Sequence, residues 1–337
     1  MNNRKSKIPL SAGLIQNLSR LRRDRKWVAG VARNGPDIRV NIGGIKMQNP
    51  VMAASGTFGY GREYASLVDL NRLGAIVVKG ISLKPVAGNE SPRIVEVCGG
   101  MLNAIGLQNP GFEEFVHGYL PFLKKRKVKV IVNIWGHDLD EYAEVAGRFD
   151  GVSGVHGLEL NISCPNIKSG GIAFGTDPKM TAKVVARVRK NTRLPLIVKL
   201  SPNVTRPGDF AKIAEANGAD AISLINSFPA MAIDIETRRP VLANVVGGLS
   251  GPAIHPIALK MIWETAKAVK IPIIGIGGIS SAREAIEFMI AGASAVAIGT
   301  ANFTDPTTML KVIDGIEAYL VRHRMKSVRD LVGSLRT

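Results

Sequence analysis

After residue 50 the chain repeats one unit eight times: a short apolar run rich in β-branched residues or alanine, a turn rich in Gly, Ser and Asn, then an amphipathic segment. The runs are VMAASG (51–56), AIVVKG (75–80), KVIVNIWG (129–136), GLELNIS (157–163), LIVKLSP (196–202), AISLINS (221–227), PIIGIGGI (272–279) and AVAIGTA (295–301). Short apolar runs bounded by turn residues read as strands covered on both faces, and segments such as DPKMTAKVVARVRK and SAREAIEFMIAG carry helical spacing. Covered strands alternating with helices make a parallel sheet, and eight such units close it into a barrel. The predicted fold is therefore α/β, a (β/α)8 TIM barrel. An open doubly wound sheet is the alternative. It is disfavoured because no G-x-G-x-x-G appears: GIGGIS comes closest and ends in Ser280. Two connections, 81–109 and 228–251, are too long for simple turns and are expected to rise over the catalytic face as lids or partner surfaces.

A chain of 337 residues that is 46% hydrophobic can fill one large core. Its two cysteines, Cys98 and Cys164, argue against a disulfide framework and for a reducing cytoplasm. They are also fewer than the four that an iron–sulfur cluster generally takes. The histidines at 117, 137, 156, 255 and 323 show no HExxH or other close ligand spacing, so no metal site is expected. No apolar run reaches the roughly eighteen residues of a membrane span, and none resembles a secretory signal.

The net charge is +17, and nine cationic residues stand against Asp24 alone before Pro36. In this segment Leu14, Leu18, Leu21 and Val28 share one side of a helical wheel, interrupted by Arg25, in the manner of a surface- or partner-seeking helix. A solvated basic extension is the plainer reading. The chain divides into a basic extension, 1–36, and a barrel domain, 37–337. With 5% aromatic residues, scattered, no stacking platform for nucleic acid is expected.

Polar residues gather at the carboxyl ends of the expected strands: Ser55, Lys79, Asn133, Asn161 with Cys164, Lys199, and Asn226 with Ser227. Any one of them reads as a loop-holding residue. Together, in an apolar barrel, they call for a polar ligand, since buried amides and ammonium groups need partners. Cys164, between Ser163 and Pro165, sits where a strand becomes a loop, because proline cannot continue the ladder. The last two strands end in Gly277-Gly278 and Gly299-Thr300, turns whose backbone N–H groups suit a phosphate, and Gly248 and Gly251 in GGLSGPAI add to them. Lys199 in VKLSP would set a cation against an electron-rich ring, which points to flavin mononucleotide.

The stretches MAASGTFGYG (52–61), MLNAIGLQNPG (101–111), NISCPNIKSGG (161–171), VKLSPN (198–203), GGLSGPAI (247–254) and IGTANF (298–303) closely resemble class 1 dihydroorotate dehydrogenases, most specifically the class 1B catalytic subunit. The resemblance runs from about Asp37 nearly to the C-terminus. It implies an FMN-containing barrel that oxidises dihydroorotate to orotate in pyrimidine biosynthesis. Matched by motif, Cys164 corresponds to the active-site base. Lys79, Asn103, Ala104, Ile105, Gly106, Leu107, Asn161, Asn226 and Ser227 fall on substrate-binding positions. Ser55, Lys79, Gly80, Asn133, Asn161, Lys199, Ile225, Gly251, Gly277, Gly278, Gly299 and Thr300 match the FMN-binding set.

The family usually has threonine where Ser227 stands, and the N-terminal extension has no counterpart in its pattern. Cys98 receives no role. Class 1B resemblance also implies NAD+ as final acceptor, reached through a separate subunit carrying FAD and a [2Fe-2S] cluster, in a heterotetramer built on a homodimer of this chain. Fumarate-linked class 1A behaviour and a dihydropyrimidine dehydrogenase-like reductase are the alternatives.

Overall fold

In the computed structural model, residues 35–163 and 174–336 are described; the expected base Cys164 and most of the basic extension lie outside them. The eight apolar runs form eight parallel strands, β3 (Val51–Ala53), β4 (Ala75–Ile81), β7 (Lys129–Ile134), β8 (Gly157–Asn161), β9 (Leu196–Lys199), β10 (Ala221–Leu224), β15 (Ile273–Ile276) and β16 (Ala295–Ile298). They pair in chain order, and β16 returns to β3 through Val296↔Val51 and Ile298↔Ala53, which closes the barrel. Most of the strands stop before their apolar run does. In β15 and β16 the residues left over, Gly277-Gly278 and Gly299-Thr300, become the turns at the carboxyl-end mouth.

Helices α1 (Leu139–Phe149), α2 (Pro178–Arg189), α3 (Pro207–Ala216), α4 (His255–Ala266), α5 (Ala282–Ala291) and α6 (Thr308–Arg322) cover the barrel. Their starts are written locally. Asp138 accepts from the Asp140 and Glu141 N–H groups at 2.9 Å, Asp177 caps α2 through Met180, and Ser281 with Glu284 forms a capping box on α5. α1 buries Tyr142, Ala143, Val145, Ala146 and Phe149, an i, i+3, i+4 stripe laid against the sheet. The first unit departs from the repeat. Between β3 and β4 there is no α-helix, only turns and a 3-10 turn at Leu70–Arg72, because glycines at 56, 59 and 61 each carry a helix-propensity penalty of about 1 kcal/mol.

Two further features go beyond the eight-unit pattern. A hairpin of β1 (Val40–Ile42) and β2 (Ile45–Met47) precedes the barrel, and Ile45 lies against Gly157 at the amino end of β8, so the hairpin plugs that end. The two long connections do not stand apart as separate loops. β5 (Ile94–Val97) and β6 (Gly100–Asn103) from the first join β11 (Phe228–Met231) and β14 (Val246–Ser250) from the second in one antiparallel sheet, order β11-β14-β6-β5, with Leu102 opposite Leu249. The second connection also contains a minimal hairpin of β12 (Ile233–Asp234) and β13 (Arg239–Pro240). Leu102, Ala104 and Leu242 form a small core of their own under the sheet. Among the described residues no helix is long and apolar enough to cross a membrane.

This small core is expected to order the mouth sheet locally, beside what the sheet gains by resting on the barrel. Leu102→Ala should cost about 2–5 kcal/mol locally, read by native-state hydrogen exchange as faster exchange in 94–103 and 246–250 with the barrel strands unchanged.

Candidate active site

Side chains alternate along a strand, so in β8 Leu158 and Leu160 turn outward to the helices while Glu159 and Asn161 turn into the barrel. The same alternation points Asn133 of β7, Lys199 of β9 and Ser223 of β10 inward. These five are all buried. Asn133 Nδ2 donates to Glu159 Oε1 at 2.7 Å and Ser223 Oγ donates to Glu159 Oε2 at 2.9 Å. Lys199 Nζ lies 3.8 Å from Glu159 Oε1 and donates to Ser55 Oγ at 3.1 Å. A polar, charge-balanced layer therefore closes the upper barrel in place of apolar side chains.

Above this layer lies a cavity of about 860 Å³ at the carboxyl ends of the strands, roofed by the mouth sheet. Every site residue expected from the sequence that falls within the described chain lines it. β3, β4, β7, β8 and β9 bring Ser55, Lys79 and Gly80, Asn133, Asn161 and Lys199; the segment after β10 brings Ile225, Asn226 and Ser227. The end of β6 and the loop beyond it bring Asn103, Ala104, Ile105, Gly106 and Leu107, and the turns bring Gly251, Gly277, Gly278, Gly299 and Thr300. Cys164, three residues past β8, lies outside the described residues.

One side of the cavity is made of backbone. Among the described residues, the N–H groups of Gly278, Gly299 and Thr300 have no backbone or side-chain acceptor. The turn cannot carry larger residues: Gly278 has φ 69°, and a Cβ there would lie 2.8 Å from the Gly251 carbonyl oxygen. Gly251, with φ 103°, is pressed in the same way against Gly100. Open amides, glycine close packing and the cavity's volume together fit a phosphate-bearing cofactor such as FMN. Thr300 Oγ1 donates to Ser250 Oγ at 2.8 Å, tying this cradle to β14. From beneath, His255 supports it, with Nδ1 3.3 Å from the Gly277 carbonyl and Nε2 2.8 Å from Glu287.

The polar side is made of side chains. Lys79 is half-buried, and among the described residues its ammonium makes no hydrogen bond. Burial, with the Arg93 charge nearby, holds its pKa below the ordinary lysine value, while Glu63 pulls the other way. Arg93 itself is held by the Asn89 carbonyl and Gln108. Across the cavity Asn226 Nδ2 donates to Ser163 Oγ at 2.6 Å, Ser163 donates to Asn161 Oδ1 at 3.1 Å, and the Ser227 N–H donates to Asn226 Oδ1 at 2.9 Å. Tyr142 anchors the chain by donating to the Asn161 carbonyl at 2.7 Å. This relay fixes two amides before any ligand arrives.

Sequence reasoning did not single out Glu159, Ser163, Ser223, Arg93 or His255. For Glu159 a signal was present, since an acid stands on the inward side of the alternating run GLELN. Among the described residues no group of three or more His, Cys, Asp or Glu side chains is placed to hold a metal ion.

A family model described as dihydroorotate dehydrogenase matches residues 37–320. The chain belongs to the dihydroorotate dehydrogenase family. Within it, the similarity is to proteins named "Dihydroorotate dehydrogenase B (NAD(+)), catalytic subunit". The relative from Citrifermentans bemidjiense is 60% identical over 300 residues, covering 89% of this chain and 98% of its own length. Those from Geotalea uraniireducens and Thermoanaerobacter pseudethanolicus are 56% identical over 302 residues and 54% identical over 300. They cover 90% and 89% of this chain, and 99% of their own length in each case. The match to class 1B catalytic subunits agrees with the family resemblance carried by the motifs.

The backbone cradle makes a specific expectation. Gly278→Ala should weaken FMN binding to the apoprotein at least about tenfold, because the new Cβ forces the turn away from the Gly251 carbonyl; fluorescence titration of the flavin measures it.

Proposed function

We propose that this chain oxidises (S)-dihydroorotate to orotate in de novo pyrimidine (UMP) biosynthesis, with FMN bound in the cavity. The observation that carries the reading is the presence, in one cavity, of two separate places for an anion: open backbone amides on the turns after β15 and β16, and the Lys79 ammonium on β4. A phosphate-bearing cofactor and a carboxylate-bearing substrate satisfy both, and the names of the relatives supply the reaction. When bound, FMN supplies the acceptor for the hydride that leaves C6 of the substrate.

The chain's own residues do the rest. Lys79 pairs with the substrate carboxylate. Asn103, Asn161, Asn226 and Ser227 offer donors and acceptors to the carbonyl and N–H edges of the pyrimidine, and the backbone from Ala104 to Leu107 covers it. Cys164, as the thiolate, takes the C5 proton. Lys199 counters negative charge on the cofactor side. Ser227 keeps the hydroxyl that threonine supplies in the family and lacks only its methyl.

The electrons leave through another protein. The relatives' names call them catalytic subunits, which supports a partner, and two cysteines cannot hold a cluster on this chain. The partner we propose carries FAD and a [2Fe-2S] cluster, passes electrons to NAD+ and docks in a heterotetramer around a homodimer of this chain. Residues 1–36 are an appendage to the catalytic domain, a division supported by the family match beginning at residue 37.

Anaerobic mixing with dihydroorotate tests the reading directly, with bleaching of the bound flavin as the expected result. Cys164→Ala should keep FMN and slow that bleaching by at least about a hundredfold, the scale of a lost general base. With a panel of acceptors, the isolated chain should reduce an artificial dye, and NAD+ only once the partner is added. Efficient reduction of NAD+ or fumarate by this chain alone would refute the partner.

Lys79 adds a pH dependence. A depressed pKa means that the ammonium is lost at a lower pH than an ordinary lysine loses it, so carboxylate binding is present below that pKa and lost as pH rises through it. The dissociation constant of orotate is expected to climb on the alkaline side, before the ordinary lysine range is reached. In Lys79→Arg, where the charge persists, this limb should vanish although binding is weaker throughout.

A further inference from the structure

Glu159 is 1% exposed and does not reach the cavity wall; it lies a layer beneath it. Two of its three contacts, Asn133 and Lys199, line the cavity; the third, Ser223, is buried beside it. Oε1 accepts from Asn133 at 2.7 Å and stands 3.8 Å from Lys199 Nζ, and Oε2 accepts from Ser223 at 2.9 Å. Asn133 in turn points Oδ1 toward Gly80, where a Cβ would lie 2.8 Å from it. A carboxylate removed from water is tolerated only when its oxygens are paired. Here Ser223 holds Oε2, while Oε1 depends on Asn133 for its hydrogen bond and on Lys199 for its counter-charge, so reorienting Asn133 costs a buried hydrogen bond and moving Lys199 costs the ion pair.

We infer that Glu159 is a positioning residue that sets the character of the cavity floor: it holds Asn133 with its N–H downward and its Oδ1 toward Gly80, and it balances the Lys199 ammonium. The inference rests on reading the cavity as the FMN site. Through these two residues, Glu159 tunes how tightly the floor holds the flavin and how readily that flavin is reduced.

The glutamine variant exposes the role. Glu159→Gln removes one negative charge and offers a single acceptor oxygen to two donors, Asn133 Nδ2 and Ser223 Oγ, so one of them is left unpaired or must turn. Lys199 then keeps its hydrogen bond to Ser55 but loses the Glu159 counter-charge. A floor more positive by one charge favours the anionic reduced ring over the neutral oxidised one.

The test titrates wild-type and Glu159→Gln apoprotein with FMN and measures the midpoint potential of each loaded form against a reference dye. The expected result is a dissociation constant raised at least about tenfold, the scale of an unpaired buried donor, with a midpoint potential moved in the positive direction. A merely structural role would lower Tm and leave the potential where it is. Wild-type protein that does not bind FMN would refute the functional reading. Wild-type protein that binds, beside a variant of unchanged affinity and potential, would overturn this inference alone. If Glu159→Gln does not fold, Glu159→Asp decides. It retains the charge on a shorter arm, so the potential should stay near wild type while FMN affinity falls several-fold. A displaced potential or an unchanged affinity overturns the inference, as does failure of both variants to fold, which would place Glu159 in the scaffold instead.

Discussion

The pairing of β16 with β3 is the constraint on which the other features depend, because it turns an eight-strand sheet into a ring. All eight strands run the same way, so all eight carboxyl ends open at one mouth. Strand alternation then has two consequences at once. Outward positions such as Leu158, Leu160 and Val198 are covered by helices, while inward positions near the mouth meet each other across a space a few side chains wide. Polar residues there are within reach of one another whether or not they are near in sequence. Lys199 and Ser55 are 144 residues apart and 3.1 Å from each other.

The mouth is finished by segments outside the ring. The sheet β11-β14-β6-β5 roofs the cavity, and the residues at the end of β14 contribute to the glycine-rich cradle. Gly251 follows directly on β14, and its carbonyl oxygen sets the limit on what Gly278 can carry. The Ala253 N–H donates to the Gly99 carbonyl at 2.9 Å, and Thr300 reaches Ser250. The cradle is therefore shared between the barrel turns and the roof, and a change in how the roof sits is felt where a phosphate would bind. The roof carries only a small core of its own, Leu102, Ala104 and Leu242, so it leans on the barrel for much of its order.

What could be read from the sequence follows from the range of each signal. Barrel strands announce themselves because burial on both faces demands unbroken apolar runs, and AIVVKG or AVAIGTA contain little else. The cradle was legible for a local reason too, since glycine-rich turns directly follow β15 and β16. The β1–β2 hairpin was also legible: VNIGGIKM alternates about Gly43-Gly44, a two-residue turn. It stands outside the eight-unit repeat that defines the barrel. Register between distant segments is another matter. Nothing local in IVEV or VGGLS says that both will join one sheet, because that pairing depends on how the ring brings the two connections together. Glu159 falls between these cases: its run shows an inward acid, but only the partners on β7, β9 and β10, distant in sequence, give it a role.

The two lysines of the cavity illustrate how the same side chain serves different ends. Lys199 is buried to 5% exposure, and its charge is answered from within the protein by Glu159 and Ser55. It is a fixed part of the floor, compensated before any ligand enters. Lys79 is half-buried and has no hydrogen-bond partner among the described residues; burial and Arg93 both disfavour its charge. A desolvated ammonium in that position gains most from an incoming carboxylate, which restores what burial took away. On the proposed reading the same argument gives a direction of selectivity: a neutral pyrimidine would leave the Lys79 ammonium with no hydrogen-bonded counter-charge among the described residues, whereas one bearing a carboxylate would supply it. Discrimination of that kind would arise less from added attraction than from the cost of leaving an existing charge unanswered.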